Sequence, residues 1–64
     1  MASFQERLNE ALSNSGLTQS ELGRRAHIDR TVISGYIHGK YKAKQVNLYN
    51  LAKVLNVDEG WLMG

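Results

Sequence analysis

Helix-start and helix-stop signals follow one another so closely along this 64-residue chain that it can build only short helices. Ser3-Phe4-Gln5-Glu6 and Thr18-Gln19-Ser20-Glu21 both read as capping boxes, in which a hydroxyl and a glutamate satisfy each other's free backbone N–H groups. Gly16, between them, supplies a left-handed stop. Asp29 and Asn47 read as further N-caps, and Gly39 and Asn56 as further stops. There is no proline to break a helix from within.

The apolar residues between these signals recur at helical spacing. Helix one is expected from Phe4 to Asn14, with Phe4, Leu8, Ala11 and Leu12 on one face. Helix two is expected from Gln19 to Ala26, with Leu22 and Ala26 as a buried pair. Gly23 lies inside it, where glycine costs about 1 kcal/mol relative to alanine, so a neighbouring helix should approach closely there. Helix three is expected from Arg30 to His38, with Ile33, Tyr36 and Ile37 inward. Lys40 to Gln45 reads as a polar loop. Helix four is expected from Leu48 to Leu55, turning Leu48, Leu51, Ala52 and Leu55 inward. A short helix five, from Asp58, returns Trp61 and Leu62 to the core. No stretch alternates as a strand does. The chain therefore reads as one all-α domain, residues 1–64, with a compact five-helix fold.

Composition excludes several function classes. So small a domain buries only about 60% of its unfolded surface. With no cysteine it has neither disulfide nor thiolate metal site to help, which fits a reducing, cytoplasmic compartment. No apolar run reaches the roughly 18 residues of a membrane span, and the N-terminus has no signal-peptide core. The two histidines have no cysteine partners, and neither a carboxylate pair nor a phosphate-cradling glycine loop accompanies them. The residues thus point away from an enzyme, a cofactor, a metal site or a small-molecule substrate. His27 reads as a turn residue and His38 as a surface residue.

Charge is placed unevenly. Net charge is only +2, yet Arg24, Arg25, Arg30, Lys40, Lys42 and Lys44 fall within 21 residues that contain one anion, Asp29. A basic stretch on an otherwise acidic body suggests a localised anionic partner, although the same lysines would serve solubility. Only His27, Ile28 and Asp29 connect helices two and three, and so short a link fixes a steep angle between them. Ile28 should lock that angle. Helix three then turns Arg30, Thr31, Ser34, Gly35 and His38 outward. Arginine can donate two bonds to guanine, a hydroxyl can donate or accept, and the threonine methyl can touch a thymine methyl. Gly35 in that stripe would let the backbone approach DNA, or is simply a tolerated surface glycine. Gln19 lies among free N–H groups at the positive end of helix two, where a phosphate can bind. Lys40, Lys42 and Lys44 would contact phosphates, adding affinity rather than sequence choice. Helix three is accordingly expected in the major groove of double-stranded DNA.

At this point the residues are similar to a known family. Thr18-Gln19-Ser20-Glu21-Leu22-Gly23-Arg24-Arg25-Ala26, continuing through Ile33-Ser34 to Gly39, resembles the helix-turn-helix of the phage repressor and Cro class, the lambda-repressor-like family. The tail Leu51-Ala52-Lys53-Val54-Leu55-Asn56-Val57-Asp58-Glu59-Gly60-Trp61-Leu62-Met63-Gly64 is similar to that family's closing helices. The resemblance covers nearly the whole chain. It implies a repressor-type domain that binds a near-palindromic operator as a homodimer, in the cytoplasm of a bacterial host. It assigns phosphate clamping to Gln19, base reading to Arg30 and Thr31, a further reading position to Gly35 beside Ser34, and phosphate contacts to His38, Lys40 and Lys42. Two positions depart from the family's pattern. His27 stands where glycine is usual in the turn, and histidine tolerates that left-handed backbone better than most residues. Gly35 stands where a longer polar side chain is common, which shifts specificity toward Arg30, Thr31 and DNA shape.

The end at Met63-Gly64 falls where the family's linker begins, which points to the N-terminal part of a longer repressor. The alternatives are a free-standing Cro-like or antitoxin regulator, or a helical protein-interaction module of the same fold. Binding that weakens steeply with salt separates DNA recognition from the last of these.

Overall fold

Both capping boxes form in the computed structural model, which describes residues 3–64. Ser3 and Glu6 start α1 (Phe4–Ser15), and Thr18 and Glu21 start α2 (Gln19–Ala26). Then follow α3 (Arg30–Ile37), α4 (Gln45–Leu55) and α5 (Glu59–Met63), with no strand among the described residues. The all-α five-helix architecture expected from spacing is the one observed. No described helix is long and apolar enough to cross a membrane.

Helix four departs from its expected start. It begins at Gln45 with Lys44 as N-cap, and no side chain closes that end. Asn47 is therefore not a cap. Its Nδ2 instead donates to the Tyr36 hydroxyl at 2.8 Å, tying α4 to α3. Helix three ends one residue early, at Ile37, with His38 as its C-cap.

Each helix contributes one large side chain to the centre. Leu8, Leu22, Ile33, Leu51 and Leu62 are all less than 2% exposed. Burying each one stabilises the fold by about 1.5–3 kcal/mol before entropy is counted. Ile28, in the link between α2 and α3, is buried with them. Its N–H donates to the Gly23 carbonyl at 2.9 Å. A β-carbon at Gly23 would lie 2.8 Å from the Ile28 carbonyl oxygen and 3.4 Å from Cγ1 of Ile33. Glycine is required there because the turn and α3 pack directly on the α2 backbone.

Side chains of α1 complete the far end of α3. Gln5 Nε2 and Asn9 Nδ2 donate to the Ile37 carbonyl at 3.2 and 3.1 Å, satisfying an acceptor that the helix end leaves open. Phe4 meets Tyr36 edge-on, 5.7 Å between ring centres. At the chain's end, Leu62 is fully buried but Trp61 is only half-buried. The Arg7 guanidinium lies 5.2 Å from the centre of the Trp61 ring and donates to the Trp61 carbonyl.

His27 adopts φ 58° and ψ 42°, the left-handed conformation, as the turn requires. A side chain there costs roughly 1–2 kcal/mol that glycine avoids. His27→Gly is therefore expected to stabilise the domain by about 1 kcal/mol, raising the melting temperature by roughly 4–8 °C. Thermal denaturation followed by circular dichroism checks this, and a lowered melting point would show that the imidazole contributes more than the backbone strain costs.

Candidate nucleic-acid interface

The start of α3 is organised by Asp29. Its Oδ1 accepts from the Thr31 backbone N–H at 2.8 Å and from the Thr31 hydroxyl at 2.7 Å. These bonds, the hydroxyl first and the N–H second, hold the Asp29 carboxyl below its usual acidity range. They also fix Thr31. Its single hydroxyl proton is committed to Asp29, so the side chain offers lone pairs and a methyl group to any partner. Arg30 and Thr31 are both exposed, and the opposite side of the helix carries buried Ile33 and Tyr36.

One turn on, Ser34 is half-buried and His38 exposed, and the two touch. His38 Nδ1 lies 2.8 Å from the Ser34 carbonyl and 3.3 Å from its hydroxyl. A carbonyl can only accept, so the Nδ1 proton is directed at it. This contact fastens the imidazole onto the last turn of α3.

Gly35 departs from both sequence expectations, backbone open to DNA or a surface glycine, because it is buried. Tyr41 covers it, and a β-carbon at residue 35 would overlap the Cζ and Oη atoms of that ring. The reason lies in how the chain reverses. Gly39 is left-handed at φ 76°, and the Lys40 N–H donates to the Gly35 carbonyl at 2.9 Å. The following residues thereby fold back over α3, and Tyr41 settles edge-on against Tyr36 with 5.4 Å between ring centres. Sequence reasoning placed Tyr41 in a polar loop because lysines flank it. A missing side chain in mid-helix, followed closely by a helix stop and then an aromatic residue, was the available signal.

The remaining candidates are exposed: Lys40 and Lys42 in the loop, Lys44 at the head of α4, and Gln19 at the head of α2. The loop thus carries Lys40 and Lys42 off the end of α3, whereas Gln19 belongs to the neighbouring helix. At α2 the capping box consumes the Thr18 and Glu21 N–H groups, leaving those of Gln19 and Ser20 without intrahelical partners. The Thr18 N–H, then its hydroxyl, lower the Glu21 pKa. Its carboxylate stays charged beside this helix end, so a phosphate there would depend on the Gln19 amide and the free N–H groups rather than on net positive charge. Arg24 and Arg25 lie in the last turn of α2, where they suit the negative end of its dipole. No group of residues among those described could hold a metal ion.

Asp29 and Glu21 are more acidic in the folded state than unfolded. Their stabilisation is therefore complete above the ordinary carboxylate range and is lost as pH falls through the lowered folded-state values. The melting temperature is expected to drop progressively below about pH 4. Asp29→Asn keeps a capping oxygen without the charge and should show a shallower acid dependence. Melting curves between pH 7 and pH 2.5 check this, and identical acid slopes for both proteins would remove Asp29 as a source.

Comparison with known proteins places these features in context. The chain matches the helix-turn-helix domain family over residues 5–64. It is 42% identical over 62 residues to the HTH-type transcriptional regulators for conjugative elements R391 of Providencia rettgeri and SXT of Vibrio cholerae. Each alignment covers 97% of this chain but 28% of the relative, so the chain spans little more than a quarter of those regulators. Its fold is similar to the crystal structure of the restriction-modification controller protein C.AhdI from Aeromonas hydrophila. That match has a TM-score of 0.85 at 30% identity and covers 92% of this chain and 89% of the other.

Proposed function

The chain belongs to the helix-turn-helix domain family, and on that premise we propose that it is a sequence-specific DNA-binding domain of a transcriptional regulator, with α3 lying in the major groove. The observation that carries this reading is the division of α3 into two faces. Ile33 and Tyr36 anchor it in the core while Arg30 and Thr31 stand exposed at its start, the latter oriented by Asp29. The description of its relatives as transcriptional regulators supports the same reading and favours a regulator over an enzyme.

Arg30 is suited to the O6 and N7 acceptors of guanine. Thr31, with its proton engaged, accepts from adenine N6 or cytosine N4 and lays its methyl group against thymine. Ser34 sits beside them. Gln19, His38, Lys40, Lys42 and Lys44 contact phosphates and set register and salt dependence. The domain acts as a repressor of the phage type, as a homodimer on a near-palindromic operator, in the bacterial cytoplasm.

Arg30→Ala is expected to weaken binding to the preferred site by roughly 1–3 kcal/mol and to relax one base position. Lys42→Ala should weaken all sequences alike and lower the salt slope by about one unit or less. Titration of specific and random duplexes at several salt concentrations separates the two roles. An equal loss on both duplexes for Arg30→Ala would reduce that residue to a phosphate contact.

If two copies bind in the family manner, their half-sites should lie about 10 base pairs apart, centre to centre. Footprinting on a selected site reads this spacing directly, and protection of a lone half-site would argue for a monomer.

A further inference from the structure

We infer that Tyr41 belongs to the base-reading surface, its phenol standing in front of Gly35 and presenting to the groove the hydroxyl that residue 35 cannot supply. The inference rests on the DNA-binding reading above and extends it to a residue outside the helix-turn-helix itself.

Position 35 is one helical turn after Thr31 and next to Ser34, so it lies on the strip of α3 that faces the groove. The tip of the Tyr41 ring fills the place where a side chain at 35 would begin, with Cζ and Oη the atoms a β-carbon would meet first. The phenol oxygen thereby has the reach of a short polar side chain, although it comes from the loop. It is also held in place. Tyr41 packs edge-on against Tyr36, Tyr36 packs edge-on against Phe4, and Phe4 and Tyr36 are 3% and 4% exposed. An aromatic chain thus runs from the core to the surface and ends on Tyr41, which remains 47% exposed.

The two tyrosine hydroxyls differ. That of Tyr36 accepts from Asn47 and belongs to a residue only 4% exposed, away from any partner outside the fold. That of Tyr41 has no hydrogen-bond partner among the described residues and is free to donate. Thr31 offers only lone pairs, so Tyr41 supplies the complementary donor one turn further along. The base edges that would receive it are the acceptors of the major groove: purine N7, guanine O6 or thymine O4. Exposed Lys40 and Lys42 on either side of Tyr41 would bring phosphates toward the same loop.

The test is selection from random duplex DNA, followed by titration of the selected site and of a random duplex with wild type, Tyr41→Phe and Gly35→Ala. Phenylalanine keeps the ring packing, so its melting temperature should match wild type. Its affinity for the selected site should fall roughly three- to ten-fold, the value of one hydrogen bond, with little change on random DNA. One position of the selected sequence, adjacent to that read by Thr31, should become degenerate. In Gly35→Ala the methyl group displaces the ring tip, and the same position should be lost without removing the phenol. Unchanged affinity and preference in Tyr41→Phe overturn the inference while leaving the DNA-binding reading intact, as does an equal loss on both duplexes. Failure of the wild-type domain to select any sequence overturns the reading itself, and this inference with it.

Discussion

The α2 backbone meets the turn and the first half of α3 without an intervening side chain. Gly23 makes this contact possible, because a β-carbon there would press on the Ile28 carbonyl and on Ile33. Ile28 in turn is buried and returns its N–H to the Gly23 carbonyl. Close-packed interiors relax little, so an angle set by such a contact is stiff. Every outward residue of α3 inherits its direction from this junction. The left-handed His27 is the strain accepted to make the turn this tight.

The rest of the fold holds α3 from other sides. α1 supplies Gln5 and Asn9 to its last carbonyl and Phe4 to the edge of Tyr36. α4 supplies Asn47 to the Tyr36 hydroxyl. A helix of eight residues is too short to be stable alone, so it is ordered by its neighbours rather than by its own propensity. This suits the recognition role proposed for it. Its exposed face can carry arginine and hydroxyls without regard to helix stability, because the buried face and the tertiary hydrogen bonds hold the helix in place.

Electrostatics divides labour in a similar way. Asp29 is the one acidic group in the basic stretch from residue 24 to residue 44, and its carboxylate is engaged in orienting Thr31. Its charge sits at the positive end of α3, where it is favourable. The loop residues Lys40 and Lys42 remain exposed, and in the proposed reading they would draw phosphates with a salt-dependent gain in affinity. At the start of α3, Thr31 is fixed by its two hydrogen bonds to Asp29.

The number and order of the helices, most of their ends, the close approach at Gly23 and the exposure of Arg30 and Thr31 could all be read from the amino-acid order. These follow from local rules: a capping hydroxyl acts within three residues, and helical periodicity sorts inward from outward over a few turns. It did not determine the start of α4, since the chain enters that helix at Lys44 without a side-chain cap and Asn47 serves Tyr36 instead. Nor did it reveal why position 35 is glycine. Helix periodicity placed Gly35 outward, and correctly so for an isolated helix, but the loop beyond Gly39 folds back and lays Tyr41 over it. Only the tertiary structure could decide that, because whether an outward helical position meets solvent depends on where a different segment of the chain comes to rest.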